Sequence, residues 1–294
     1  MTKRTPIRFI INPTSGPKSR VDVPACIQKH LDLAFFEHEI VFTEYAGHAT
    51  QLAQEAAAAA CKIVVAVGGD GTVNEVAQGL LYTDTALGIL PKGSGNGLAR
   101  HLEVPMKIEG ALQVLNQGHI RTIDSGHINK HPFFTTAGIG FDAYISSVFA
   151  GNKKRGLQTY LELVLKEVLT YKHQTVKASI NGNELDTDCY VMAFANAAQY
   201  GNNAYVAPMA DIQDGLLDVC LVRQMDLIKA LHLSYSMLTR QLANEDSAEY
   251  FQTKHVQVKT EEPMLFHADG EFKGKSTSFE VHVEPQSLKV VTPL

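Results

Sequence analysis

The stretch Lys62 to Leu81, KIVVAVGGDGTVNEVAQGLL, constrains this chain more than any other, because a strand, a glycine turn and an amphipathic helix follow one another without a break. Ile63 to Val67 is a run of mostly β-branched residues with no alternation, the pattern of a strand covered on both faces, as in a parallel sheet between helices. Gly68, Gly69 and Gly71 are expected to take φ > 0 and to bring the backbone close to a ligand. Thr72 followed by Glu75 reads as a capping box, and Val73, Val76, Ala77, Leu80 and Leu81 form the stripe that packs on the sheet. A glycine turn at a helix N-terminus directs N–H groups and the positive end of the dipole at one point, a seat for phosphate. Asp70 stands in that turn. Its carboxylate would repel phosphate, so its useful roles are to hold Mg²⁺, to bind a ribose hydroxyl or to take a proton. The plainer alternatives are an Asx turn and a glycine turn that serves packing alone.

A length of 294 residues suits two domains, and 45% hydrophobic content is enough for a core in each. A formal charge of -5 and the lack of any long Lys/Arg block argue against nucleic acid as the main partner. Cys26, Cys61, Cys189 and Cys220 are far apart and make no C-x-x-C pair, so neither a zinc site nor a disulfide framework is indicated. They read as reduced core residues of a cytoplasmic protein. The beginning MTKRTPIRFIINP lacks the apolar core of a signal peptide, and no segment approaches the roughly 18 consecutive apolar residues of a membrane span. The expected location is peripheral to the inner face of a membrane, and a homodimer is compatible with all of this.

Taken in order, Ile7 to Ile11 is a strand running into Asn12-Pro13-Thr14-Ser15-Gly16, a turn rich in hydroxyls and in residues of special φ. A helix from about Val23 to Leu33, a strand Glu39 to Thr43 and an alanine-rich helix His48 to Cys61 lead to the central strand. Leu87 to Pro91 is another buried strand, followed by Lys92-Gly93-Ser94-Gly95-Asn96-Gly97 and the helical LARHL. Right-handed crossovers between parallel strands put such turns at the carboxyl edge of the sheet, where open α/β sheets bind ligands. The loops 12–16, 68–72 and 92–97 therefore converge. After a helix near Ile108 to Leu115 the pattern changes, and from Arg121 strand-like runs separated by turns predict an antiparallel β domain. This places an α/β domain over 1–123 and a β domain over 124–285, with 286–294 expected to return to the first. Two helical segments interrupt the β domain. One ends at Tyr171 and carries Leu157, Leu161, Val164, Leu165 and Val168; the other is Leu227 to Leu242. Their stripes read as packing on the sheet, with a lipid-facing role as the alternative.

Asn12-Pro13-Thr14-Ser15-Gly16, Gly68-Gly69-Asp70-Gly71-Thr72-Val73-Asn74-Glu75 and Leu90-Pro91-Lys92-Gly93-Ser94-Gly95-Asn96, in this order, resemble the diacylglycerol kinase catalytic-domain family, which includes bacterial lipid kinases and sphingosine kinases. Gly138-Ile139-Gly140-Phe141-Asp142, the stretch Asn196 to Asp218 and Asp269-Gly270-Glu271 continue the likeness over nearly the whole chain. The resemblance implies an N-terminal α/β nucleotide-binding domain of NAD-kinase type, a C-terminal antiparallel β-sandwich, an active site in the cleft between them, and ATP-dependent phosphorylation of a lipid hydroxyl. It also implies ATP binding by Asn12, Pro13, Thr14, Ser15, Gly16, Thr43, Gly68 to Thr72, Asn74, Glu75, Gly93, Ser94 and Asn96, with Mg²⁺ bridging phosphates near Asp70. Ser94 departs from the threonine common in bacterial members and, with Gly95-Asn96, is closer to the sphingosine kinase form. Lys153, Lys154 and Arg155 would neutralise phosphate or line a solvated face. Asp142 would face the lipid headgroup or sit in a turn.

Attack by a lipid hydroxyl on a γ-phosphate needs an acceptor for its proton and a metal for the developing charge, and the close carboxylates Asp269 and Glu271 can divide these roles. The resemblance points to Glu271 as the base; sphingosine kinases offer Asp70 instead, and a solvated hairpin is the plain alternative. Asp211-Ile212-Gln213-Asp214-Gly215-Leu216 has acids and a glycine suited to wrapping a hard cation. By the resemblance it holds a structural Mg²⁺ through the Asp214 side chain and the Asp211 and Leu216 carbonyls; without it the segment reads as a β-turn. A soluble-metabolite kinase such as an NAD kinase, or a non-catalytic lipid- or nucleotide-binding regulator, are the competing functions. Intact Asp70 and Glu271 speak against the last.

Overall fold

Strand and helix alternate through the first part of the chain as β1 (Thr5–Ile11), α1 (Val23–His30), β2 (Phe36–Phe42), α2 (His48–Ala58), β3 (Ile63–Gly68), α3 (Asp70–Leu80), β4 (Ala86–Pro91), α4 (Gly97–His101) and α5 (Ile108–Gln117). The computed structural model describes residues 4–16, 22–151, 162–164, 166–168, 170–201, 203–242 and 247–294. Two compact units form: one of 1–123 with 286–294, the other of 124–285.

In the first unit the strands lie parallel in the order β4-β3-β1-β2. Every residue of β3 and of β4 is buried, as their unbroken apolar runs require. Asp22 caps α1 by accepting from Ala25 N, and a proline in the first turn fits there because its missing N–H would have no partner. The alanine-rich α2 buries Ala49, Ala53 and Ala56. Its close neighbour is Gly79 of α3, where a Cβ would stand 2.6 Å from Thr50 O and 2.8 Å from the Ala53 Cβ. The alanines thus serve a close helix crossing rather than propensity alone.

The second unit is built on antiparallel strands: β5 (His119–Ile128), which enters it from the first unit, β6 (His131–Phe133), β7 (Thr136–Gly140), β8 (Gln174–Ile180), β9 (Asn183–Cys189), β10 (Val191–Ala195), β11 (Gln199–Gly201), β12 (Ala204–Tyr205), β13 (Leu217–Val222), β14 (Glu249–Thr253), β15 (His255–Ala268) and β16 (Glu271–Thr292). The order β14-β13-β10-β7-β15 is extended by β8 and β9, which pair in turn from β15. Two-residue turns set the register. Asn181-Gly182 joins β8 to β9 with φ of 52° and 78°, and Asp269-Gly270 joins β15 to β16 with φ of 48° and 75°. Left-handed conformation at both turn positions is what a type I′ hairpin demands. Ile139, Phe194, Val219, Val258, Phe266 and Phe279 belong to the core beneath these strands.

Two helices interrupt this unit, α6 (Phe141–Ala150) and α7 (Leu227–Leu238). Helical residues at 162–164 and 166–167 follow α6, and Val164 and Val168 pack with Phe141, Ile145 and Tyr190. Leu157, Leu161 and Leu165 lie outside the described residues. For α7 the expected packing holds only in part: Leu233 is buried, but Ile228, Leu231, Tyr235 and Leu238 are 80%, 55%, 62% and 63% exposed. β16 leaves the second unit after Pro285, and its last residues run parallel to β4, with Val290 opposite Leu87.

Candidate active site

β1, β3 and β4 end at the same edge of the parallel sheet, and their loops lock together. Asn12 N continues the β1–β3 ladder to Val67 O at 3.1 Å, and Lys92 N reaches Gly68 O at 2.7 Å. Within the first loop, Thr14 donates from N and Oγ1 to Asn12 Oδ1 at 3.0 and 2.8 Å, while Pro13 and Thr14 face solvent. Asn12 Nδ2 donates to Thr72 Oγ1 at 3.2 Å, and Gly69 N donates to Ser15 Oγ at 3.3 Å. Gly16 has φ of 76°, and a Cβ there would stand 2.1 Å from Lys92 O. Only glycine lets the first loop close on the third.

Asp70 joins the second loop to the third. Its carboxylate accepts from Asn96 N at 2.8 Å and from Gly97 N at 2.7 Å, at the start of α4. Asn96, itself left-handed with φ of 54°, bridges back to Gly93 N and Gly93 O at 2.9 and 2.8 Å. Gly69 and Gly93 face each other so closely that a Cβ on Gly93 would stand 2.6 Å from the Gly69 Cα. Gly68, Gly69 and Gly71 do not take the expected positive φ, which among the described glycines falls at Gly16 and others elsewhere. Smallness serves Gly68 and Gly69 instead: a Cβ on Gly68 would meet Thr72 Oγ1 of the following helix at 2.4 Å, and one on Gly69 would stand 3.2 Å from the Gly93 Cα of the third loop.

The capping box is a second correction. α3 begins at Asp70, with Gly69 as cap residue and no side chain capping its first turn, so Thr72 lies inside the helix. Glu75 faces α2 instead, accepting from Gly47 N at 2.9 Å and Ala49 N at 3.1 Å. It therefore caps a neighbouring helix whose own cap residue is a glycine. Asn74 is buried and accepts from Gln78 Nε2. Ser94 is exposed at the tip of the third loop. Thr43 follows β2 at the same sheet edge, its N–H donating to Ile11 O at 2.9 Å. At this edge the first turn of α3, which no side chain caps, lies against the loops 12–16 and 92–96.

In the second unit, Asp269-Gly270 forms the β15–β16 turn, and its two acids face different surroundings. Asp269 Oδ1 accepts from Thr135 N at 2.8 Å, Thr136 N at 3.1 Å and Thr135 Oγ1 at 2.6 Å, and Oδ2 accepts from Phe134 N at 3.0 Å. Expected as one of a reacting pair, Asp269 is instead occupied in pinning the turn to residues 134–136. Glu271 opens β16 with its carboxylate partly exposed, 2.8 Å from Lys273 Nζ. Beneath the turn, His267 is buried against Asp142. His267 Nδ1 accepts from Gly270 N at 3.2 Å, so the ring proton sits on Nε2 and is given to Asp142 Oδ2 at 3.0 Å. Tyr200 donates its hydroxyl to the same Oδ2 at 3.1 Å. Gly138 makes room for this pair, since a Cβ there would lie 2.2 Å from Asp142 Oδ2 and 2.9 Å from His267 Nε2. Asp142 is thus buried in a hydrogen-bonded cluster. His267 and Tyr200 escaped the sequence reading: a histidine in an alternating strand and a tyrosine beside glycines give no local sign of a partner 125 or 58 positions away.

Asp211, Asp214 and Leu216 form a turn in which Gln213 N donates to Asp211 Oδ1 and Leu216 N to Asp214 Oδ1, both at 2.9 Å. Asp124 Oδ2 joins them by accepting from Gly215 N at 2.7 Å. Burial and the nearby carboxylates of Asp211 and Asp124 hold the Asp214 carboxyl above the ordinary range. That mutual repulsion of oxygen ligands is what a hard cation would relieve. Lys153, Lys154 and Arg155 lie outside the described residues.

These features have relatives. Residues 6–128 match the diacylglycerol kinase catalytic domain, and residues 135–292 match the YegS C-terminal NAD kinase beta sandwich-like domain. The chain belongs to the diacylglycerol kinase catalytic-domain family, with an α/β first domain and an NAD-kinase-like β-sandwich as its second, and it is a kinase that uses ATP. It is 32% identical over 231 residues to a probable lipid kinase YegS-like of Chromohalobacter salexigens, covering 76% of this chain and 74% of that one. It is 28% identical over 273 residues to a diacylglycerol kinase of Bacillus subtilis, covering 91% and 90%. Among solved structures, a putative diacylglycerol kinase from Bacillus anthracis superposes with a TM-score of 0.81 at 23% identity, covering 99% of this chain and 96% of that one, which speaks for the fold.

Proposed function

We propose that this kinase transfers the γ-phosphate of ATP to a hydroxyl group of a lipid presented at a membrane surface. The observation that carries the lipid part is α7. Its exposed Ile228, Leu231, Tyr235 and Leu238 recur at spacings of three, four and three, one continuous stripe along the helix. Exposed Lys229, His232 and Arg240 accompany the stripe. Apolar residues in register beside basic ones suit the boundary between acyl chains and anionic headgroups. No helix among the described residues is long and apolar enough to cross a membrane, so contact through such a face is a peripheral mode.

In this reading the first turn of α3, which no side chain caps, receives phosphate, because the N–H groups at the start of a helix and the positive end of its dipole point to one place. Asn12, Thr14, Ser15, Thr43, Ser94 and Asn96 surround it with donors and acceptors for the rest of the nucleotide. Mg²⁺, which neutralises charge on the phosphates, would be held near Asp70, and a second, structural ion by Asp214 with the Asp211 and Leu216 carbonyls. Glu271 takes the proton of the lipid hydroxyl as the oxygen–phosphorus bond forms and the bond to the departing ADP breaks. Lys273 keeps that carboxylate oriented. Asp269, and His267 held by Asp142, fix the turn from which Glu271 projects.

The test is radiolabelled ATP with diacylglycerol, phosphatidylglycerol and a sphingoid base in vesicles, and NAD in solution beside them. Label is expected on a lipid. Label on NAD alone would overturn the proposal and favour a soluble-metabolite kinase.

A further inference from the structure

Away from these residues, His127, His282 and Glu284 meet on the second unit. His127 belongs to β5, while His282 and Glu284 stand two apart on β16, the spacing that puts side chains on one face of a strand. β5 and β16 are paired. One ligand atom from each residue lies within 4.8 Å of the other two. His282 Nε2 is 3.3 Å from Glu284 Oε1. Two ligands bound at zinc distances in a tetrahedron stand about 3.3–3.4 Å apart, so this pair already spans one edge. The two imidazoles are within 8° of parallel with centroids 5.3 Å apart, and the Cβ–Cγ torsion of histidine is broad enough to let each ring turn towards an ion.

A separate observation concerns His127 itself, whose Nδ1 is buried with no hydrogen-bond partner. Leaving a buried polar atom unpaired costs about 1–3 kcal/mol, and native proteins almost always supply it with a group, a water or an ion. Two imidazoles and one carboxylate make a donor set for zinc-like ions rather than Mg²⁺, which prefers oxygen ligands alone. The acids at 211–216 offer only oxygen and so select the other kind of cation.

We propose that His127, His282 and Glu284 bind one divalent transition-metal ion of the zinc type, with water completing its tetrahedron, and that the ion ties β5 to β16. The experiment uses the full chain, free of any polyhistidine tag and stripped by a chelator, titrated with Zn²⁺ by calorimetry and with Co²⁺ by visible absorption. The wild type takes up one equivalent and melts at a higher temperature when saturated. His127→Ala and Glu284→Gln each weaken Zn²⁺ binding at least about tenfold, since losing even a group that merely orients a ligand costs about 10–100-fold. Asp214→Ala, whose site has no nitrogen donor, leaves it unchanged. Glu284 is partly exposed, so its glutamine variant keeps the fold. A wild type that takes up no Zn²⁺, or variants that bind it as tightly as the wild type, overturn the proposal.

Discussion

Asp269 and Glu271 are separated by one glycine, yet their carboxylates do different work. Three main-chain N–H groups and a hydroxyl converge on Asp269, so it is committed to holding the turn. Glu271 has a lysine beside it and solvent access. Glu271→Gln should therefore leave the melting temperature nearly unchanged while kcat falls roughly 10²–10⁴-fold, the usual cost of losing a general base. Asp269→Asn should do the reverse in emphasis, costing about 1–3 kcal/mol of stability through unsatisfied buried donors, with activity falling because the turn moves. Thermal melts and steady-state kinetics on both variants separate the roles; equal loss of stability in the two would refute the division. The pair of acids was legible in the sequence. Which of them turns inward was not, because the decision is made by the backbone of residues 134–136, far away along the chain.

Elements show the same mixture. Unbroken apolar runs located β1, β3 and β4 and the convergence of their loops, since burial on both faces leaves a direct trace in residue type. The uses of the glycines and of Glu75 left no such trace. A glycine needed for positive φ and one needed because a Cβ would stand 2.6 Å from another loop look identical in a sequence. Glu75→Ala should lower stability by about 0.5–2 kcal/mol, the cost of an uncapped helix, here α2. Its effect should be seen by hydrogen exchange at residues 47–50 rather than at α3; protection lost only within α3 would restore the capping box. For α7, helical spacing predicted the stripe, but not that only part of it would find a partner. Ile228→Ser with Leu231→Ser should leave the fold intact, reduce sedimentation with anionic vesicles and slow phosphorylation of a vesicle-borne lipid. Activity on a short-chain, water-dispersed lipid should persist. Undiminished vesicle binding would remove α7 from the membrane reading.

At the scale of the molecule, the change of pattern after Arg121 coincides with the entry of β5 into the second unit, because alternation and turn residues mark antiparallel strands as plainly as apolar runs mark parallel ones. Less visible is what residues 286–294 do. Leu288, Val290 and Val291 are buried, Tyr82 N donates to Ser287 O at 2.8 Å, and Lys289 Nζ meets Asp84. Burying side chains of this size contributes about 1.5–3 kcal/mol each, so together they rival a typical domain stability of about 5–15 kcal/mol. A chain stopped at Pro285 should lose cooperative melting and exchange protection in β3 and β4 while β7, β10 and β13 stay protected. Equal protection in both units would contradict this.

The same strand sets an order of events on the ribosome. Residues 1–123 emerge first, but their sheet lacks its β16 neighbour until residues 286–294 have been made, whereas 124–285 are contiguous and can close as soon as they are free. Of the two units, the one made first is the one that finishes folding last. Through the translation of more than half the chain, the edge of β4 at Leu87 is without that neighbour, and an unpaired apolar sheet edge is where misassembly starts.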